Sequence, residues 1–197
     1  MWKKINRFRN KVMSIDAMLM STFITTLFYS STFPYINKQL ITVVSDKLIA
    51  FNQIISCLSV IISGFLWNKY SNKLYKHFIL YCISEIVAIT FTTIYVIFVG
   101  NLTAYYIMDI FMYAIITRNI SCGCNKLKIL RYKEETEREH FNNNDNSSYA
   151  IATIIGSIIA MLLNLNFNRM VILATMGNMI DNIFYINIYK NMKDSKE

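Results

Sequence analysis

The chain has 197 residues, of which 54% are hydrophobic and only 16% charged, with one Pro and five Gly. Soluble domains carry about 25% charged residues, so too few are present to keep a surface of this size in water, and lipid is the expected solvent. The net charge of +8 sits in short Lys and Arg clusters between apolar segments, with no extended basic face, which argues against a nucleic-acid partner and for anionic lipid at one leaflet.

A helix needs about 20 mostly apolar residues to cross a hydrocarbon core of about 30 Å. The chain therefore has room for about six spans and no separate soluble domain. The expected fold is all-α: residues 1–197 as one integral membrane bundle of six transmembrane helices. Segment 1–11 is basic and precedes an apolar run, as a signal peptide would. That run, 12–35, exceeds the roughly 7–15 residues of a signal's apolar region and ends in no small-residue cleavage site, so it reads as a retained first span. It is rich in Ser21, Thr22, Thr25, Thr26 and Ser30, and Pro34 marks its expected outer end. The second span, 41–67, carries Asn52, Ser56 and Ser59 at helical spacing.

A tight basic connection follows at Ser63–His77, with Lys69, Lys73, Lys76 and His77. The third span, 78–100, is interrupted only by Glu85, and the fourth, 104–127, contains Asp109 and Arg118. Segment 128–145 alternates Arg131, Lys133 and Arg138 with Glu134, Glu135, Glu137 and Glu139, and reads as a solvated, partly helical cytoplasmic loop. The fifth span, 146–165, is apolar only from Tyr149; residues 141–148 fit either an interfacial loop or the polar inner half of the helix. The sixth, 170–189, holds Asn178, Asp181, Asn182 and Asn187.

Charge asymmetry sets the orientation. If the first span enters from the cytoplasm, sixteen of the twenty Lys and Arg lie on inner segments. Only Lys38, Lys47 and Arg169 lie outside, and Arg118 falls within a span. An even number of spans with both termini cytoplasmic satisfies the positive-inside rule. The high Asn, Lys and Ile content suggests an AT-rich bacterial genome, so the expected location is a bacterial plasma membrane.

Ionisable groups within spans are costly and usually face a bundle interior or cavity. At 1.5 Å per residue, Glu85, Arg118 and Asp181 sit at a similar level in the cytoplasmic half, whereas Asp16 is shallow enough to stay hydrated. Asp109 and Arg118 are nine positions apart, which on a regular α-helix puts them on opposite faces. Arg118 is therefore expected to pair with another helix, through Glu85 or Asp181, in an ion pair that either couples transport or merely neutralises itself. Cys122-x-Cys124 lacks the further ligands a structural zinc needs. No Walker loop, catalytic triad or His-Glu-x-x-His is present, so neither an enzyme nor a cofactor is expected.

Four stretches carry a resemblance to the major facilitator superfamily. Gly64-Phe-Leu-Trp-Asn68-Lys69-Tyr-Ser71-Asn72-Lys73 resembles that family's Gly-x-x-x-Asp-Arg-x-Gly-Arg-Arg loop, with Asn68 in place of the carboxylate. Arg118 is similar to the intramembrane arginine of the family's fourth helix, without its usual Gln-Gly. Glu135-Thr-Glu137-Arg138 is placed like the family's Glu-Arg loop, and Gly156-Ser157-Ile-Ile-Ala160 resembles a degraded Gly-Pro-x-x-Gly element of the fifth helix. Small residues there would allow two helices to approach closely. The resemblance covers one six-helix half of a family member whose two halves enclose a midplane cavity.

It implies a half-length facilitator-type transporter of a small molecule, exporting rather than importing, coupled to an ion such as the proton. A second copy or a separate C-terminal-half chain would complete it. The alternative is a non-transporting accessory or immunity-type membrane protein, or a truncated transporter remnant. The transport and gating candidates are Gly64, Asn68, Lys69, Lys73, Glu85, Asp109, Arg118, Gly156 and Asp181.

Overall fold

The computed structural model describes the backbone of residues 2–162 and 166–194 and the side chains of residues 17–162 and 166–193. The expected surroundings of Asp16 and of the first basic cluster lie outside the described side chains, as does the end of the fifth expected span at residues 163–165. Every element among the described residues is helical. In order they are α1 (Trp2–Ile41), α2 (Asp46–Lys76), α3 (Phe78–Val99), α4 (Leu102–Met112), a π-helical segment (Tyr113–Thr117), α5 (Arg118–Arg131), α6 (Glu135–Leu162) and α7 (Phe167–Asp194).

The helices are longer than the sequence suggests, for local reasons. Pro34 does not end α1, which runs on to Ile41. The missing N–H frees one carbonyl at a cost of about 3 kcal/mol in a soluble helix. Packing offsets that cost: Ile36 and Leu40 are buried with Val44, Val96, Met170 and Val171 at one end of the bundle. The Ser31 and Thr32 hydroxyls both bond back to the Phe28 carbonyl, at 2.9 and 2.7 Å.

Expected as a loop, the basic stretch after Gly64 is instead the end of α2. The helix continues to Lys76 and only His77 separates it from α3. Nothing in Asn68–Lys76 forbids a helix, and 31 residues at 1.5 Å each simply overrun a bilayer. The helix does kink, at Tyr70 (φ −119°, ψ 20°).

The expected 128–145 loop shrinks likewise. Three residues, 132–134, link α5 to α6, and Phe141–Ser148 lies in the polar first half of α6. Tyr132 stacks on Phe141 at 4.8 Å, and Arg138 Nη1 donates to the Tyr132 and Lys133 carbonyls at 3.3 Å. Those contacts fold the linker back onto the helix. At the opposite end of the bundle, Gly100 closes α3 in the left-handed region (φ 71°), and Asn101 caps α4 by accepting the Ala104 N–H at 3.0 Å.

α1 lies along both α6 and α7. α7 also packs on α3, while α2 packs mainly on α5. One apolar cluster gathers Met18, Phe78, Leu127, Phe141 and Ile188 at the basic end. A second gathers Ile36, Leu40, Val96 and Met170 at the other end. A polar layer separates them.

Outside this interior the chain is apolar and uncovered. Four helices, α2, α3, α6 and α7, are long and apolar enough to cross a bilayer. In α2 and α6 only 11% of the most apolar window is buried. Apolar side chains this exposed need lipid or a partner against them.

Candidate functional site

The polar layer is built by α1, α3, α7 and the π segment. Glu85 of α3 is 8% exposed. Its Oε1 accepts from Thr117 Oγ1 at the end of the π segment, and its Oε2 accepts from Asn182 Nδ2 of α7 at 2.6 Å. The same Asn182 nitrogen donates to the Asn178 carbonyl at 3.0 Å, while Asn182 Oδ1 is buried without a partner. Asp181 accepts from Ser21 Oγ of α1 and lies within electrostatic reach of Glu85. About two turns beyond Glu85 and Asn182, Thr93 and Thr175 join α3 to α7 at 2.5 Å.

Sequence reasoning therefore places Glu85 and Asp181 at one level, and the structure brings them together. It does not give either of them Arg118. Among the described residues Glu85 and Asp181 bind only neutral donors, and the Arg118 Nε is buried with no hydrogen-bond partner. The π segment is one reason the helical-wheel expectation fails. The Arg118 N–H bonds the Tyr113 carbonyl five residues back, so one extra residue is accommodated. That insertion retards the helix phase by about 100°, leaving Asp109 and Arg118 about 80° apart rather than opposed.

The π segment is patched by side chains. Asn119 Nδ2 donates to the Ile115 carbonyl at 2.6 Å, and Ser121 Oγ to that of Thr117 at 3.0 Å. Asn119 Oδ1 in turn accepts from Trp67 Nε1 at 2.8 Å, which ties α2 to the same point.

Asp109, half-buried on α4, is within electrostatic reach of Glu85. It also lies near a set of tyrosines. Tyr29 of α1 lies within electrostatic reach of Asp109, Tyr113 and Tyr149 and stacks on Phe33 at 4.4 Å. Tyr29, Tyr113 and Tyr149 are all more than 40% exposed. They mark an open face between α1, the π segment and α6, with Asp109 of α4 beside it.

At the basic end, Asp145 of α6 joins three helices. It accepts from Thr22 Oγ1 of α1 at 2.7 Å and pairs with Lys128 Nζ of α5 at 3.0 Å. Lys128 also sits 5.0 Å from the centre of the Phe141 ring. Close by, burial raises the Tyr132 phenol above its ordinary pKa, against the opposing cation of Arg131. The ion pair is 25% and 18% exposed, so it is partly screened. Asp145→Asn should cost about 1 kcal/mol and expose the 132–134 linker to faster tryptic cleavage in detergent.

The remaining candidates fall elsewhere. Gly156 of α6 is buried against α1, where a Cβ would meet the Leu27 carbonyl oxygen at 2.8 Å. Gly64 is exposed, with nothing within 4 Å of the position a Cβ would take. Asn68, Lys69 and Lys73 are exposed at the basic end, beyond the polar layer. Among the described residues no group of three or more His, Cys, Asp or Glu could hold a metal ion.

Three residues central to the layer, Thr117, Asn119 and Asn182, were not sequence candidates. Each adjoins one that was, or lies on the same helical turn. The whole layer is rich in acceptors, holds two carboxylates in mutual reach and has one guanidinium nearby with an unused donor. It is an arrangement able to draw a cationic group inward. The chain matches no protein-family model, and it shows no match to a curated protein or to a solved structure.

Proposed function

We propose that the chain is a half-length, facilitator-type membrane transporter that exports a small molecule by coupling to an ion, without ATP. Six helical segments cross the bacterial plasma membrane in this reading, with both termini cytoplasmic. The four apolar helices are joined by α1 and by the continuous stretch 102–131, whose 30 residues reach about 45 Å. The observation that carries the proposal is the concentration of Glu85, Asp109, Arg118 and Asp181 inside helices whose outward sides are apolar. Ionisable groups at membrane depth mark ion and substrate pathways. The open face beside Asp109 is the wall that a second copy, or a separate C-terminal-half chain, would close.

A second reading also has an observation in its favour. Both Glu85 oxygens are taken by neutral donors, as in a polar layer that only fixes helix packing. That suits a non-transporting accessory or immunity-type protein, or a transporter remnant.

Arg118→Gln separates the two. Because the Nε is buried without a partner, removing the cation should leave membrane accumulation unchanged or raised, with stability shifted by about 1 kcal/mol at most. Ion-linked flux in proteoliposomes should be lost. Reduced accumulation would favour the structural reading. A strictly monomeric particle mass in lipid, with no partner chain, would exclude alternating access.

A further inference from the structure

We infer that the kink in α2 at Tyr70 forms a binding site for the phosphate-bearing headgroup of an anionic phospholipid. The inference rests on the membrane reading above but not on transport. At Tyr70 the backbone leaves the helical path, and the break opens a surface cavity of about 290 Å³ lined by Asn68, Lys69, Tyr70, Ser71, Asn72 and Lys73. Two of these are cations, and the other four carry neutral groups that can donate hydrogen bonds. A third lysine arrives from α5: Lys126 Nζ donates to Ser71 Oγ at 2.6 Å and to Asn72 Oδ1 at 2.7 Å.

Among the described residues no carboxylate pairs with these lysines. The sequence holds no Asp or Glu between Asp46 and Glu85, nor between Asp109 and Glu134. Among the described residues Lys69, Lys73 and Lys126 make no ion pair, and Lys126 is held by two neutral oxygens and lies 5.6 Å from the centre of the Tyr75 ring. Such a cavity is complementary to a phosphate oxygen set, which accepts from ammonium, hydroxyl and amide donors together.

Its depth selects the source of that phosphate. The cavity lies just past the apolar body of α2. The Tyr70 ring is 44% exposed, and Tyr75 meets Tyr189 of α7 at 5.0 Å, an aromatic setting typical of the headgroup level. A free anion would meet exposed lysines screened over about 8 Å at physiological salt. A lipid is already concentrated at this level by its acyl chains, so the same contacts suffice to retain it. An anionic headgroup fits better than a zwitterionic one, whose own ammonium would face the lysines.

The test is native mass spectrometry of the full chain, delipidated in neutral detergent and titrated separately with phosphatidylglycerol, phosphatidylcholine and inorganic phosphate. One phosphatidylglycerol per chain is expected to be retained, and phosphatidylcholine is not. K69Q/K73Q should loosen the lipid by about tenfold or more, whereas K190Q/K193Q, with equal charge removed from the same end, should not. N68A/N72A keeps every lysine and should loosen it by a smaller factor.

Equal loss in K190Q/K193Q, or no change in N68A/N72A, would reduce the site to diffuse attraction and overturn it. Equal retention of phosphatidylcholine, or displacement of the lipid by inorganic phosphate, would overturn it too. None of these readouts depends on flux, so failure here leaves the transport proposal standing.

Discussion

Gly156→Leu is expected to prevent the native bundle from accumulating in the membrane, and Gly156→Ala to destabilise it by about 2 kcal/mol. At this position a Cβ would lie 2.8 Å from both the Leu27 carbonyl oxygen and Ser30 Cβ, and 3.2 Å from the Ser31 nitrogen. Two of those atoms are backbone, so no rotamer change makes room and the helices must part. The consequence is large because α1 is the main helix α6 packs on, the Lys128–Asp145 pair to α5 being its chief other tie among the described residues. Gly64→Ala is the matched control. It adds the same methyl group where nothing lies within 4 Å, and should leave stability within about 1 kcal/mol of the parent. Thermal unfolding in detergent and membrane yield report both. Equal behaviour of the two alanine variants would mean that α1 and α6 do not pack as described.

Glu85→Ala should cost about 1–3 kcal/mol, since it removes two bonds between helices and orphans a buried amide and hydroxyl. Asn182 is only 2% exposed, so water cannot replace the lost acceptor cheaply. Hydrogen bonds between membrane helices average about 0.6 kcal/mol, which sets the lower part of that range. Glu85→Gln keeps an acceptor and nearly the same shape, and should retain most of the stability. The informative quantity is activity. In an ion-coupled transporter Glu85→Gln abolishes coupled flux while the protein remains folded. If flux instead follows stability through Glu85→Gln and Glu85→Ala alike, the carboxylate serves packing alone.

Periodicity and polarity predict a helical membrane chain, and the helices are where apolar runs put them. Their ends are not, because the physics that ends a membrane helix differs from that in water. Pro34 is the plainest case: Ile36 and Leu40 find buried positions beyond it, a long-range fact no local rule contains. Asn68–Lys76 and Phe141–Ser148 are polar enough to read as loops, yet a helix that has left the bilayer can simply continue. Part of the site is legible because ionisable residues in apolar runs stand out, and Glu85 and Asp181 lie within electrostatic reach of each other. The π segment Tyr113–Thr117 has no such signature, and it makes the facing of Asp109 and Arg118 unreadable from spacing. Thr117 and Asn182 are common membrane-helix residues until their partner is known.

The position of α1 between α6 and α7 has a consequence for biosynthesis. α1 is synthesised well before α6 and α7, its chief neighbours, so that packing forms late and through contacts very distant along the chain. Until then α2 to α5 can associate with one another, while α1 waits with Ser21 and Thr22 unsatisfied. A nascent chain stalled before residue 135 would therefore carry α1 without most of the surface it packs against, and quality-control proteases should recognise that form ahead of any other.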